Sequence, residues 1–244
     1  MAVRQSLSRV KIALGLIFGL NLVLWGVSQD IYARWDGVPP VPTRRGAVMM
    51  TLGDAEFSYR FLALALQNLG DVGRDVTPLK DYNYERLGRW FFLLHGLDPV
   101  SDHVPLVAAY YFGGTKVPRD AGVVVDYLRV AGAIPIGEKW RWLAHAAYLA
   151  QHRMHDLQLA LKLAYQLAKM PNSDTMPQWA RQMPAFILNE RGDGEASRKL
   201  MENMLVTEKN AHPQEIGFMK SYLIEQLGVD PAEVEKLIRL RDHK

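Results

Sequence analysis

Residues 12–28 read IALGLIFGLNLVLWGVS, a run without a charge and with a single amide, Asn21. Polar positions do not recur often enough for an amphipathic surface helix. At ~1.5 Å per residue the run approaches the ~30 Å hydrocarbon thickness of a bilayer, so it predicts a transmembrane anchor. Beyond about residue 53 the pattern changes. Apolar side chains recur at helical spacing in segment after segment, separated by Gly, Pro and Asp.

The first segment, 54–69, opens on Asp54, an N-cap residue. It spaces Phe57, Phe61, Leu64 and Ala65 helically and stops at Gly70. The second, 81–95, carries Tyr84, Leu87, Trp90, Phe91 and Leu94. A third, 102–112, is closed by Gly113-Gly114. In 119–131 the run Val123-Val124-Val125 admits a strand, but Val124, Tyr127, Leu128 and Ala131 keep helical spacing and favour helix. Further helices are expected at 138–152, 156–170, 177–191, 195–208, 213–227 and 231–242. Pro177, Pro213 and Pro231 suit a first helical turn, whereas Pro184 is expected to kink its helix. No pair of alternating strands with a hairpin turn occurs. The expected fold is all-α: one transmembrane helix followed by antiparallel helix pairs.

Four regions follow: a basic tail (1–11), the anchor (12–28), a Pro-rich tether (29–52) and a helical body (53–244). Trp25, Tyr32 and Trp35 suit a membrane interface, and the polar, aromatic residues after Ser28 favour a retained anchor over a cleaved signal. Arg4, Arg9 and Lys11 before the span balance Arg34, Arg44 and Arg45 after it. Proximity and the amino terminus tip the balance towards a cytoplasmic N-terminus. The body is then expected outside the cytoplasm: for a Gram-negative source, the chain sits in the inner membrane with the body in the periplasm. Gly15 and Gly19 form a GxxxG whose face Leu22 and Gly26 continue, and Asn21 offers an amide for helix–helix bonding. The tether's DGVPPVPTRR is rich in residues that favour extended polyproline II, a spacer between anchor and body.

With 29 Lys+Arg against 26 Asp+Glu, the formal charge of +3 falls short of the dense basic stripe that nucleic-acid binding requires. The absence of cysteine removes disulfides, thiolate metal sites and cysteine nucleophiles.

Ala160, Ala196 and Ala232 stand 36 residues apart, each shortly after an aspartate: Asp156, Asp193 and Asp230. Pro135 and Pro171 share the interval. The run Asp156-Leu157-Gln158-Leu159-Ala160, the run Gly192-Asp193-Gly194-Glu195-Ala196 and Trp179 together resemble the tetratricopeptide-like (TPR-like) family in weakened form. Pro184 and Tyr148 depart from it, standing where a small residue is usual. Leu97-Asp98-Pro99 and Ala109-Tyr110-Tyr111-Phe112-Gly113-Gly114 look like a run found in bacterial membrane-anchored proteins of that kind. The resemblance covers roughly residues 53–240. It implies an α-solenoid for protein–protein scaffolding, without catalysis or cofactor.

Chemistry-bearing motifs are scarce. His145, His152 and His155 with Asp156 are the nearest approach to a metal set, but an expected interhelical turn separates them, so no metal is expected. Asp54 with Glu56, and Asp71 with Asp75, are read as caps and solvated loops. No P-loop, dinucleotide glycine pattern, nucleophile elbow or zinc-protease motif occurs. Lys236, Arg239, Arg241 and Lys244 give the last helix a basic end that complements its dipole. Trp140 and Trp142, two apart on a helix, point about 200° from each other, so one is expected at the surface. Trp140-Arg141-Trp142 is the expected contact patch, and Tyr111, Arg141, His145, Tyr148, Trp179 and Gln182 the expected groove. The function these readings favour is a membrane-anchored scaffold for partner proteins. An accessory subunit of a membrane complex, or a helical-repeat enzyme acting on envelope polymers, are the alternatives.

Overall fold

The computed structural model describes residues 2–28, 37–72, 75–171, 175–208 and 211–242; the expectations placed on Tyr32, Arg34, Trp35 and Lys244 lie outside these. Helix α1 (Ala2–Ser28) contains the apolar run and is long and apolar enough to cross a membrane. None of Lys11–Ser28 is buried against other parts of the protein. The body contains α2 (Arg44–Met49), α3 (Ala55–Gln67), α4 (Tyr84–Leu97), α5 (His103–Tyr110), α6 (Pro118–Gly132) and α7 (Trp140–His152). It continues with α8 (Leu157–Ala168), α9 (Gln178–Glu190), α10 (Gly194–Thr207), α11 (Pro213–Ser221) and α12 (Pro231–Asp242). A π-helical turn, Tyr222–Gln226, extends α11. Among the described residues the strand structure is a short antiparallel ladder, β1 (Asp71–Val72) with β2 (Asp75–Val76). Helices packed on their chain neighbours dominate the contacts from α6 to α10. The chain is all-α, as its periodicity indicates, and 119–131 is helix.

Each capping residue sets the depth of the helix that follows. Asp156, Asp193 and Asp54 accept the amides of Leu159, Ala196 and Phe57, at 2.9, 3.3 and 3.0 Å. Asp230 accepts the amide of Ala232 at 2.8 Å. Asp156, Asp193 and Asp230 recur at intervals of 37, so the recurrence belongs to the caps and not to the alanines. Counting four residues from each cap gives Ala160, Ser197 and Val234, all fully buried. Ala196 is only partly buried and Ala232 is exposed. Ser197 lies so close to the preceding helix that its Oγ donates to the Ala185 carbonyl at 2.7 Å. Ser58, four residues after Asp54, does the same to the Ala47 carbonyl at 3.0 Å. A buried hydroxyl must have a partner, and the close approach provides it.

Two expectations fail here. The tether's distal end is no free spacer. Val38 is buried, Arg86 donates to its carbonyl at 3.1 Å, and the Trp90 indole donates to the Pro39 carbonyl at 2.9 Å. A proline-rich strand lacks most of its own donors but keeps its carbonyls, and α4 uses them to fasten it to the body. Region 29–52 also contains a helix, α2, started by Thr43, whose hydroxyl accepts the Gly46 amide. The second failure is in α3. The face towards the core is Ser58, Tyr59, Leu62, Ala63 and Leu66. The stripe picked out by periodicity, Phe57, Phe61 and Leu64, points outward. A helix apolar on both sides gives periodicity nothing by which to choose the inner one.

The core is in two parts. The larger runs from Val38 to Leu188. The smaller gathers Ala185, Met201, Met204, Leu205, Met219, Leu223, Val229 and Val234, with Phe186, Phe218 and Tyr222 in mutual ring contact at its edge. Helix α9 continues through Pro184 and contributes to both. At the α6–α7 crossing the backbones nearly touch: a Cβ on Gly132 would lie 2.2 Å from the Leu143 nitrogen. Rigid backbone cannot yield as a side-chain tip can, so Gly132→Ala should destabilise the body by about 3 kcal/mol. Gly96→Ala, where a Cβ meets nothing within 4 Å, should instead gain about 0.5 kcal/mol. Thermal unfolding of the detergent-solubilised chain, followed by far-ultraviolet circular dichroism, measures both.

Candidate functional site

The expected groove residues divide between the surface and the interior. Arg141, His145 and Tyr148 follow one another at i, i+4 and i+7 along α7, on one face. Tyr110, the last residue of α5, lies on one side of them; Trp179 and Met183, at i and i+4 of α9, lie on the other. Together with Trp140, Ala144, Thr175 and Pro177 they line an open groove of about 550 Å³. Alternate helices α5, α7 and α9 thus contribute to one surface.

The aromatic rings are in contact along this groove. Tyr110 packs on His145 with centroids 4.8 Å apart, His145 on Tyr148 at 5.7 Å, and Tyr148 on His152 at 4.5 Å. Across the groove Trp140 meets Trp179 edge-on at 5.8 Å. The Arg141 guanidinium sits 5.8 Å from the Trp140 ring centroid and pairs with Glu138 at 2.7 Å. The His145 Nε2–H donates to the Ala109 carbonyl at 3.2 Å, which leaves Nδ1 as the acceptor of a neutral ring. Burial pushes the His145 pKa below its ordinary 6.5, against the opposing pull of that carbonyl. What the groove offers a ligand is therefore flat apolar area, one half-exposed guanidinium and no acidic lining group among the described residues.

Four expectations are corrected. Trp140 and Trp142 are both buried, at 5% and 6% exposure. Their opposed directions are real, but α7 is covered on more than one side. Trp142 packs towards α5, its indole donating to Asp102 Oδ1 at 2.6 Å and its ring meeting Tyr110 edge-on. Trp140 is sealed by Trp179 and Thr175, whose hydroxyl accepts from its indole at 3.4 Å. Tyr111 is not in the groove. Its ring lies edge-on to Phe112, and its hydroxyl is 3.5 Å from that of Tyr82. Beside it, burial pushes the Tyr84 phenol up to about 12, and that phenol donates to the Phe112 carbonyl. Gln182 is buried in α9, one residue before groove-lining Met183. Tyr110 was the missed residue. It follows two buried alanines, Ala108 and Ala109, and that step from small to large at the end of a helix was the available signal.

An ion pair between a buried lysine and a half-exposed aspartate positions the groove's central helix. Lys139 Nζ, only 3% exposed along its side chain, donates to Asp102 Oδ1 at 2.8 Å and to the Ser101 carbonyl at 2.7 Å. Asp102 therefore holds both Lys139 and Trp142, at the start of α7, against the start of α5.

The histidines considered for a metal have other contacts. His145 and His152 pack with tilted rings on Tyr148, His155 occupies the left-handed turn before α8 (φ 56°), and Asp156 caps that helix. No set of three metal-ligating groups occurs among the described residues. In α1, Gly15, Gly19, Leu22 and Gly26 fall on one line, and a Cβ on any of the three glycines would meet nothing within 4 Å. Asn21 bonds within its own helix, its amide donating to the Ile17 carbonyl at 3.4 Å. Comparisons with protein-family models, curated proteins and solved structures give no match to this chain.

Asp102→Ala leaves the Lys139 ammonium sealed without its anion. It should cost about 2 kcal/mol in chemical unfolding, and Lys139→Met less. His145 makes the body acid-sensitive. Its folded pKa lies below the unfolded 6.5, so its contribution is fully present above about pH 6.5 and is lost as pH falls through the lowered value. His145→Asn should flatten that part of the unfolding free energy against pH.

Proposed function

We propose that this chain is a single-pass, membrane-anchored scaffold whose TPR-like helical body recruits or assembles partner proteins. The groove built by Tyr110, Arg141, His145, Tyr148 and Trp179 carries the reading. It has the composition of protein-binding surfaces: large rigid aromatics around an arginine, with little rotamer entropy to lose on binding. The 37-residue recurrence of capping aspartates, each followed four residues on by a fully buried position, supports stacked helix pairs. In such a stack the first helix of each pair lines one face, as α5, α7 and α9 do here. A partner segment with apolar and acidic side chains fits the groove: apolar groups against Trp179 and Tyr148, a carboxylate at Arg141. The apolar α1 restricts these encounters to a membrane. Its flanking charges favour a cytoplasmic N-terminus, which in a bacterial inner membrane puts the body in the periplasm. A groove without lining carboxylates gives no support to an enzyme acting on envelope polymers.

One observation favours a second reading, an accessory subunit held in a membrane complex through α1. The line of Gly15, Gly19, Leu22 and Gly26 leaves room for close helix approach.

Purification of the full chain in mild detergent, with identification of what accompanies it, separates the two. Trp179→Ala and Arg141→Ala should each lower recovery of the groove's partner by about tenfold. Tyr165→Ala, on α8 outside the groove, should leave it unchanged. Loss of the partner only with Gly15→Leu and Gly19→Leu would move the binding site to α1.

A further inference from the structure

Helices α2 and α3 present a second apolar surface, separate from the groove. On α3, Phe57, Phe61 and Leu64 lie within about 60° of one another, opposite the buried face. Each keeps more than half its surface exposed. Met49 and Met50 add to them from the end of α2, at 76% and 65% exposure. Between the helices Leu52 is fully exposed and left-handed, with φ 55°. That conformation is costly for a branched side chain, and the turn imposes it. The Thr51 hydroxyl donates to the Asp54 carbonyl at 2.7 Å with the Val48 carbonyl as its second acceptor within reach at 3.1 Å, and the Gly53 amide donates to the Val48 carbonyl, so the tip is fixed with its leucine outward. Phe61 and Met50 border a recess of about 370 Å³, whose other walls are Pro39, Pro40, Pro42, Leu62, Ala65, Leu66, Leu69 and Trp90. Ordinary monomers do not gather so many large apolar side chains at the surface without something to cover them.

The path of the chain identifies the cover. From Ser28, the end of the apolar helix, to Gly37 the backbone reaches at most about 30 Å even fully extended. Val38–Pro42 is then fastened to α4 by Arg86 and Trp90, and its prolines wall the same recess that Phe61 and Met50 border. The apolar surface therefore lies on the part of the body where the chain arrives from α1. Arg44 and Arg45, exposed on the first turn of α2, suit anionic headgroups; the acids Asp54 and Glu56 are engaged by the Phe57 amide and by Arg60.

Resting on the reading of α1 as a membrane anchor, we infer that this surface is a second membrane contact. The Met49–Leu52 tip and the Phe57–Phe61–Leu64 stripe sink into the headgroup–acyl boundary of the bilayer that α1 crosses. The body then lies against the membrane at a fixed angle rather than swinging from a leash.

The chain has no cysteine, so single-cysteine variants carry a nitroxide without background. Leu52→Cys, Phe57→Cys, Phe61→Cys and Leu64→Cys test the surface, Phe18→Cys reports on α1, and Leu240→Cys on α12 is the aqueous reference. The full chain is placed in vesicles of phosphatidylcholine with phosphatidylglycerol, and collisions with oxygen and with a water-soluble nickel chelate are compared. The four surface positions should read as lipid-immersed, roughly 5–10 Å deep, with Phe18 deeper and Leu240 in water. A lipid reading at Phe18 with nickel access at all four surface positions overturns this inference and leaves the anchor standing. Nickel access at Phe18 as well removes the anchor and the inference with it. Protection of the four positions from both reagents, with spin–spin broadening that unlabelled chain dilutes away, assigns the surface to a second copy and also overturns the inference.

Discussion

Lys139 has its ammonium out of water, and an ammonium in that position must be met by charge and by lone pairs. Asp102 and the Ser101 carbonyl meet it. The same carboxylate oxygen receives the Trp142 indole, so one atom fastens the segment before α5 to the first residues of α7. Such a pair is poor as a source of net stability, because much of its attraction is spent on desolvation. Its strength is directional. It fixes where α7 begins and how it is rotated, and that rotation decides that Arg141, His145 and Tyr148 face outward together. The groove follows from a carboxylate that is not itself part of it.

The α6–α7 crossing works with this bond. Gly132 lets the backbones meet, so α7 is held closely from one side by contact and from the other by charge. Successive helices are then placed relative to α7. The buried positions four residues after Asp156 and Asp193 hold Ala160 and Ser197, side chains small enough to let α8 and α10 approach their predecessors.

Much of the helical order was legible in the sequence, because caps, terminal glycines and first-turn prolines act locally. The helices from 54–69 onward were found to within a few residues, since their end signals need no knowledge of the remaining fold. Depth was less legible. Ala160, Ala196 and Ala232 gave an interval of 36, but packing counts from the cap, where the interval is 37, and Ser197 and Val234 occupy the places the alanines were thought to hold. The expectation that one of Trp140 and Trp142 is exposed fails because α7 is covered on both of those sides at its start, its free side carrying Arg141. The groove takes Tyr110 and not the expected Tyr111 because the backbone leaves the α-helix between them. Phe57, Phe61 and Leu64 showed the opposite difficulty: an apolar stripe states that something covers it, not whether that is the protein's own core.

The division of the core at α9 has a mechanical consequence. Eight buried side chains close the terminal cluster, and α9 supplies Ala185 to it, with Phe186 packed at its edge. Prying α10, α11 and α12 away would uncover this cluster and the edge of the larger one where Ala196 and Leu200 pack, and leave the rest of the larger cluster, with its aromatic rings, in place. Tension applied at the carboxyl end is thus released by peeling a single leaf, as a fuse parts before the circuit it protects.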